Sequence, residues 1–90
     1  MKVAFTVHGR VQGVGFRYFV LERAESLGLS GFVRNDWDGT VTGMAEGEAL
    51  VLEDLRRVLE RGNTLSRVSR LDWTPLSEGE SLPFPFEIRH

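Results

Sequence analysis

The first residues of the chain alternate between larger apolar side chains and smaller or polar ones. Val3, Phe5 and Val7 are each separated by one such residue. This period of two predicts a β-strand with one buried face. From Phe16 the spacing changes to three and four residues, the period of an α-helix with one apolar face. The apolar positions of this helix are Phe16, Phe19, Val20, Ala24 and Leu27.

Gly28 is placed to end this first helix in a left-handed conformation. Two short strands joined by a tight turn are predicted next. Residues 31–35 form the first of them, and residues 40–46 alternate again and form the return strand. Between them, the segment 36–39 reads Asp-Trp-Asp-Gly, which is typical of a hairpin turn whose Gly39 adopts a positive φ.

A second helix and a longer strand follow. The helix is predicted over residues 49–61, where Leu and Val side chains recur at three- and four-residue spacing. The strand is predicted over residues 67–74, because apolar residues alternate again there. The inward-facing residues of the helix are Leu52, Leu55, Val58 and Leu59. On the strand, Ser69, Leu71 and Trp73 share one face.

The order of the elements predicts the fold class. Residues 75–83 predict a polar loop, and residues 84–88 a last strand at the edge of a sheet, since Pro85 cannot donate to a central ladder. The whole pattern is β-α-β-β-α-β with one terminal addition. It is typical of a ferredoxin-like α+β sandwich, an antiparallel sheet with two helices on one face and a short extra C-terminal edge strand. We expect the 90 residues to form a single domain, 1–90.

Composition narrows the chemistry that the chain can perform. It contains no cysteine and only two histidines, His8 and His90, so we expect neither a protein-built metal site nor a cofactor. The formal net charge of −2 argues against nucleic acid as a partner. No apolar run approaches a membrane span, and the first residues lack the apolar core of a signal peptide. We therefore expect the protein in the cytoplasm. We also expect a monomer whose partners are a small-molecule substrate and its product.

The segment Gly9-Arg10-Val11-Gln12-Gly13-Val14-Gly15-Phe16-Arg17 joins the first strand to the first helix. Its glycines allow a tight turn whose N–H groups point inward and form an anion-binding nest. The dipole of the helix that follows adds to the same field, and the Arg17 guanidinium can grip two phosphate oxygens. The expected phosphate-binding residues are Val11, Gln12, Gly13, Val14, Gly15, Phe16 and Arg17.

From these residues alone, an alternative stays open: a sharp strand-to-helix turn followed by a solvated arginine. A cation in the first turn of a helix opposes the dipole, which argues mildly against that alternative. The segment is neither a dinucleotide fingerprint nor a Walker loop, because Gly13 and Gly15 lack a third glycine and no Gly-Lys-Ser/Thr follows.

Three motifs together resemble the acylphosphatase family: residues 9–17, the segment Gly-Phe-Val-Arg-Asn at 31–35, and Asp-Gly-Thr-Val at 38–41. The resemblance covers nearly the whole chain and implies a metal-independent hydrolase that splits the carboxyl–phosphate bond of acyl phosphates. It implies that Arg17 binds the substrate phosphate and that Asn35 orients the attacking water.

One departure is visible. Family members often carry Gly-Pro-Pro after the second helix, where this chain has Gly62-Asn63-Thr64. Because this turn is remote in sequence from both site motifs, we expect the departure to affect only the local turn conformation.

The residues available suit an activated substrate. Arginine stays protonated and asparagine does not titrate, so the site offers no nucleophile and no ordinary general base. An acyl phosphate needs little protonic help, because its leaving group is a carboxylate whose conjugate acid has a pKa of about 4. An alkyl phosphate has a far poorer leaving group and would find no proton donor here.

Several residues near the motifs allow two interpretations from sequence. Asn35, taken alone, is more typical of a turn former preceding residues 36–39, and the family match favours the water-orienting role instead. His8, Arg10 and Arg34 either add to the field felt by an anionic substrate or are ordinary solvated residues. Thr40 either supports Asn35 by a hydrogen bond or is simply a β-branched hairpin residue.

Trp37 is expected to be an exposed turn aromatic that could touch the acyl group.

Two other functions are alternatives to hydrolysis. RNA binding is disfavoured because the third strand lacks aromatic side chains and the chain is acidic. The other is a non-catalytic domain that only binds phosphate compounds, like the acylphosphatase-like parts of larger maturation proteins.

Overall fold

A computed structural model describes residues 1–77 and 79–90. The predicted loop 75–83 therefore contains one residue, Glu78, that lies outside the described part. The elements are strands β1 (Lys2–Arg10), β2 (Ser30–Asn35), β3 (Val41–Glu46), β4 (Arg67–Leu76) and β5 (Glu87–Arg89), with helices α1 (Phe16–Ser26) and α2 (Ala49–Arg61).

The five strands form one sheet in the order β4-β1-β3-β2-β5. The four longer strands pair antiparallel, whereas β5 pairs in parallel with β2 at the edge. The sheet is therefore mixed rather than purely antiparallel, but the ferredoxin-like α+β fold expected from the sequence is confirmed.

Both helices cover one face of this sheet and enclose the hydrophobic core. Helix α1 contributes Phe16, Val20 and Ala24 to the core, the spacing that the sequence predicted. It ends as expected, because Gly28 has φ +70° and donates to Glu25 O, while the next amide donates to Ala24 O. From α2 the buried side chains are Leu52, Leu55 and Leu59.

Strand β4 departs from the prediction in two ways. Its pairing with β1 shifts register between His8 and Gly9, so that Ser69 is an extra residue in the ladder. Ser69 is consequently exposed, and Val68 takes the place expected for it beside Leu71 and Trp73 against the core. The strand also continues through Pro75 to Leu76, which an edge strand permits.

The last strand is shorter and later than predicted. It starts at Glu87, after Phe84 and Pro85, and ends at Arg89. Its parallel register places Ile88 opposite Val33 of β2. In residues 1–77 and 79–90, no helix has the length and apolar character needed to cross a membrane.

The topology brings two distant parts of the sequence together. Strands β1 and β2 both pair antiparallel with β3, so they run in the same direction. The loop that follows β1 and the final residue of β2, Asn35, therefore lie at the same end of the sheet.

Candidate phosphate-binding site

The loop between β1 and α1 owes its shape to two glycines. Gly13 and Gly15 have φ values of +74° and +73°, a left-handed conformation that side chains disfavour. A Cβ added to either one would meet no atom within 4 Å. The backbone conformation, rather than lack of space, therefore requires glycine at both positions.

The amides of this loop are unpaired. In the described part of the chain, none of the N–H groups of residues 12–17 donates to a protein acceptor. Helix α1 also begins without a side-chain cap and without an acidic residue in its first turn. Unpaired amides that follow left-handed glycines, next to a helix N-terminus, form a concave site that favours an anion.

Arg17 lies in the first turn of α1 and is half-buried. Its Nη1 lies 3.3 Å from the His90 ring nitrogen Nδ1. Across residues 1–77 and 79–90, no carboxylate lies within salt-bridge distance of Arg17. The guanidinium thus lacks an internal anionic partner among these residues, which suits it to bind an anion from solution.

Asn35 is the last residue of β2 and is half-buried. It shares a strand face with the buried Val33, the face covered by the helices. Its Oδ1 is buried and accepts no hydrogen bond from the described residues. The side chain borders a small cavity of about 180 Å³, lined by Val11, Gly13, Gly15, Phe16, Arg17, Tyr18 and Asn35.

Gln12 holds the loop against the β2–β3 turn. Its Nε2 donates to Asp36 O at 2.8 Å and to Thr40 O at 2.9 Å. The sequence placed Gln12 among the phosphate-binding residues; its side chain is engaged by the turn, so only its main-chain N–H faces no protein partner. The side chain therefore fixes the loop relative to Asn35, which directly precedes Asp36.

The opposite side of the loop is held by Asn63, in the turn that follows α2. Asn63 Nδ2 donates to Val14 O at 3.0 Å. The turn at residues 62–64, remote in sequence, thus contacts the loop directly, and the expectation of a purely local effect was wrong. The one signal was the departure itself, a residue with a side-chain donor where the family often has proline.

The turn beyond Asn35 is stabilised by its own carboxylates. Asp38 Oδ1 accepts hydrogen bonds from Thr40 Oγ1 at 2.6 Å and Thr40 N at 3.0 Å. These bonds hold the pKa of Asp38 below its usual value. Gly39 has φ +90°, as predicted for this turn. The hydroxyl of Thr40 is therefore directed to Asp38 and not to Asn35.

Most of the other polar candidates lie away from the cavity. His8 Nε2 contacts Asp72 Oδ2 at 2.8 Å and Arg70 on the exposed sheet face, and this bond lowers the pKa of Asp72. Arg34 is exposed and donates to Thr42 at 3.3 Å. Arg10 is exposed. Trp37 is fully exposed in the turn, as predicted.

A metal site does not emerge from the acidic and imidazole side chains. Within residues 1–77 and 79–90, no group of three His, Cys, Asp or Glu is arranged to share an ion. Fold and site together define a small α+β protein that presents an uncapped helix, unpaired loop amides, an arginine and an asparagine around one cavity.

Comparison with known proteins identifies the family. A family model described as Acylphosphatase matches residues 3–88. The acylphosphatase of Mannheimia succiniciproducens is 40% identical over 90 residues, 100% of this chain and 99% of that protein. Acylphosphatase-1 of Gallus gallus is 43% identical over 91 residues, covering 99% and 92% of the two chains. The crystal structure of acylphosphatase from Bacillus subtilis has a TM-score of 0.89 at 36% identity, covering 99% and 98%.

The chain belongs to the acylphosphatase family, as the motifs predicted. It is therefore a hydrolase of the class that cleaves the carboxyl–phosphate bond of acyl phosphates. The comparisons identify the reaction, and the residues that perform it are a separate question.

Proposed function

We propose that this protein hydrolyses acyl phosphates at the cavity between the β1–α1 loop and the end of β2. Residues 11–17 hold the phosphate and Asn35 orients the attacking water. The observation that carries this assignment is that hydrogen-bond donors and an acceptor, all without protein partners among the described residues, lie around one cavity. The loop presents unpaired donors, and Asn35 presents an unpaired acceptor.

The phosphate half of the site works by electrostatics. The amides of residues 12–17 and the Arg17 guanidinium surround the equatorial oxygens, where charge accumulates in phosphoryl transfer. Because these donors are already in place, the site needs little reorganisation when charge develops. The arginine reaches the phosphate by exchanging its contact with His90 for a charge-assisted bond.

The water half depends on the amide oxygen of Asn35. A buried acceptor without a partner costs about 1–3 kcal/mol, so this oxygen gains by meeting a donor. The last side-chain torsion of asparagine is soft, and a turn of the carboxamide brings the oxygen to a water in the cavity. That water then lies opposite the carboxylate leaving group.

The reaction balances without a protein acid or base. Water oxygen bonds to phosphorus, the phosphorus–oxygen bond to the acyl group breaks, and the acyl carboxylate leaves with that electron pair. The proton of the attacking water passes to a phosphate oxygen, so that the products are a carboxylate and inorganic phosphate. A pH–rate profile governed by a protein carboxylate would contradict this substrate-assisted step.

The first test is hydrolysis of benzoyl phosphate in the presence of EDTA. Full wild-type activity is expected, since we propose that no metal takes part. Arg17→Ala should lower kcat/KM roughly 100- to 1000-fold, which corresponds to about 2.7–4 kcal/mol of lost transition-state stabilisation. The same substitution should weaken the binding of inorganic phosphate. Arg23→Ala removes the same charge from the exposed side of α1 and should leave both unchanged.

Asn35 is tested by separating turnover from binding. Asn35→Ala should lose turnover by about 100-fold while still binding inorganic phosphate, because the donors remain. Asn35→Asp keeps the size but places a negative charge beside the phosphate, so it should lose both. If the wild type binds phosphate but shows no turnover, the protein is instead a non-catalytic phosphate-binding domain.

We also propose that residues 1–90 act as one domain and as a monomer in the cytoplasm. The residues proposed to bind the phosphate and to orient the water all belong to one chain, so the proposed reaction requires no second copy. Sedimentation equilibrium at the concentrations used for the kinetic assays should give the mass of one chain, and cell fractionation should place the activity in the cytosol.

A further inference from the structure

We propose that Asn63 is a positioning residue that holds the Val14–Gly15 peptide group in the orientation needed for phosphate binding. This inference rests on the proposed function of the loop. It concerns a residue of the α2–β4 turn that takes no part in the chemistry and makes no contact with the substrate.

The contact joins residues 49 positions apart. Asn63 directly follows Gly62, the C-cap residue of α2, and is half-buried. Its Nδ2 donates to the carbonyl oxygen of Val14 at 3.0 Å. Val14 stands between the two left-handed glycines, so the bond acts at the centre of the nest.

Peptide geometry carries this restraint to the phosphate. In a trans peptide group, the carbonyl oxygen of Val14 and the N–H of Gly15 lie in one plane and point in opposite directions. Fixing the oxygen on Asn63 therefore turns the Gly15 N–H away from Asn63. A hydrogen bond to the carbonyl also polarises the peptide group and strengthens its N–H as a donor.

Gly15 is in particular need of such a restraint. Glycine has the widest conformational freedom of any residue, and a Cβ here would touch nothing within 4 Å. The side of Gly15 on which a Cβ would stand is open, so no neighbouring atom restrains the peptide group from that side. The Asn63 bond is the side-chain link to the Val14–Gly15 peptide within the described residues.

The side chain of Asn63 is not needed for the turn in which it lies. The turn is closed by main-chain atoms of Asn63 and by Ser66: Asn63 N donates to Ser66 Oγ at 2.9 Å, and Ser66 N and Oγ donate to Asn63 O at 3.2 and 3.1 Å. The carboxamide oxygen of Asn63 is buried without a partner among the described residues, which lowers its value for stability. The hydrogen bond that the Asn63 carboxamide donates is therefore made to the loop and not within its own turn.

The test compares Asn63→Ala with Thr64→Ala, an exposed substitution in the same turn. Asn63→Ala should weaken inorganic phosphate binding, measured by calorimetry, and lower kcat/KM by about three- to tenfold, the worth of one lost hydrogen bond. Thr64→Ala should match the wild type. Equal phosphate affinity in Asn63→Ala and the wild type would overturn the proposal, whatever the change in Tm.

A second measurement has a part made on the wild type alone, which does not depend on the variant being folded. In wild-type protein labelled with ¹⁵N, the Gly15 amide resonance should shift when inorganic phosphate is added. In Asn63→Ala that shift should shrink while the Gly13 shift persists. A Gly15 amide that ignores phosphate while the Gly13 amide responds would overturn the inference, whereas no response anywhere and no turnover would overturn the proposed function.

Discussion

Two glycine-containing connections lie at the same end of the sheet and treat their backbone amides in opposite ways. In the β2–β3 turn, Asp36 Oδ1 accepts from Trp37 N–H and Asp38 Oδ1 accepts from Thr40 N–H. In the β1–α1 loop, the amides of residues 12–17 have no acceptor in the described part of the chain. The turn carries its own anions, and the loop carries none.

The difference shows what separates a structural turn from a binding site. Positive-φ glycines occur in both, so glycine content does not distinguish them. What matters is whether an internal carboxylate is available to the exposed amides. A loop that leaves its donors unpaired is less stable on its own and gains most from an anion in solution.

The comparison would be broken most severely by giving the loop a carboxylate of its own. In Gly13→Asp, aspartate tolerates the left-handed conformation better than most residues, and its carboxylate can accept from the neighbouring amides. We expect at least a 100-fold loss of kcat/KM for benzoyl phosphate, because the donors are occupied. Gly13→Asn, which matches the shape without the charge, should lose much less; equal losses in the two variants would point to backbone strain instead.

A smaller effect is expected from separating the loop and the turn. Gln12→Ala removes the two bonds to Asp36 O and Thr40 O, but both carbonyls keep a backbone donor, Gly39 N–H and Asp36 N–H. The free energy of unfolding in urea should fall by only about 1 kcal/mol. Since the loop would then shift relative to Asn35, kcat should fall by about tenfold. Unchanged kcat with reduced stability would limit Gln12 to a structural role.

The smallest effect concerns the turn's own anion. Hydrogen bonds from Thr40 lower the pKa of Asp38 in the folded protein. The carboxylate therefore adds stability at pH values above its unfolded pKa, near 3.8, and this contribution is lost as the pH falls through the lowered folded value. The urea midpoint of the wild type should exceed that of Asp38→Asn at pH values above the unfolded pKa, and the two should converge as the pH falls through the lowered folded pKa.

The regular elements could be predicted because their signals are local. The apolar spacing of α2 gave its limits at Ala49 and Arg61, and Gly28 and Gly39 marked a helix end and a turn through their positive φ. The chain order alone permits Asn35 to lie near the loop but does not fix the distance between them, which depends on how β1 and β2 pair with β3. The roles proposed for Arg17 in phosphate binding and for Asn35 in orienting water stay predictions, which the substitutions at these two positions test.

The features that escaped prediction depend on partners far away in sequence. The displacement of Ser69 by Val68 arises from a register shift against Gly9 of β1, which a single strand's pattern does not contain. Likewise, the bonds from Gln12 and Asn63 join residues 24 to 49 positions apart. The alternation and spacing of apolar residues describe one helix or strand at a time, so they do not predict hydrogen bonds or register between distant elements.

The pairing of β1 has a consequence for the order in which the chain folds. Lys2 at the start of β1 pairs with Leu76, and Arg10 at its end pairs with Arg67, so the pairing of this central strand is complete only once β4, nearly the last strand of the chain, has joined it. Contacts between such distant positions require costly loop closure and slow folding. Because the loop proposed to bind phosphate directly follows β1, enzymatic activity should return only with the final association of β4. Recovery of turnover after dilution from urea would then time the last step of folding.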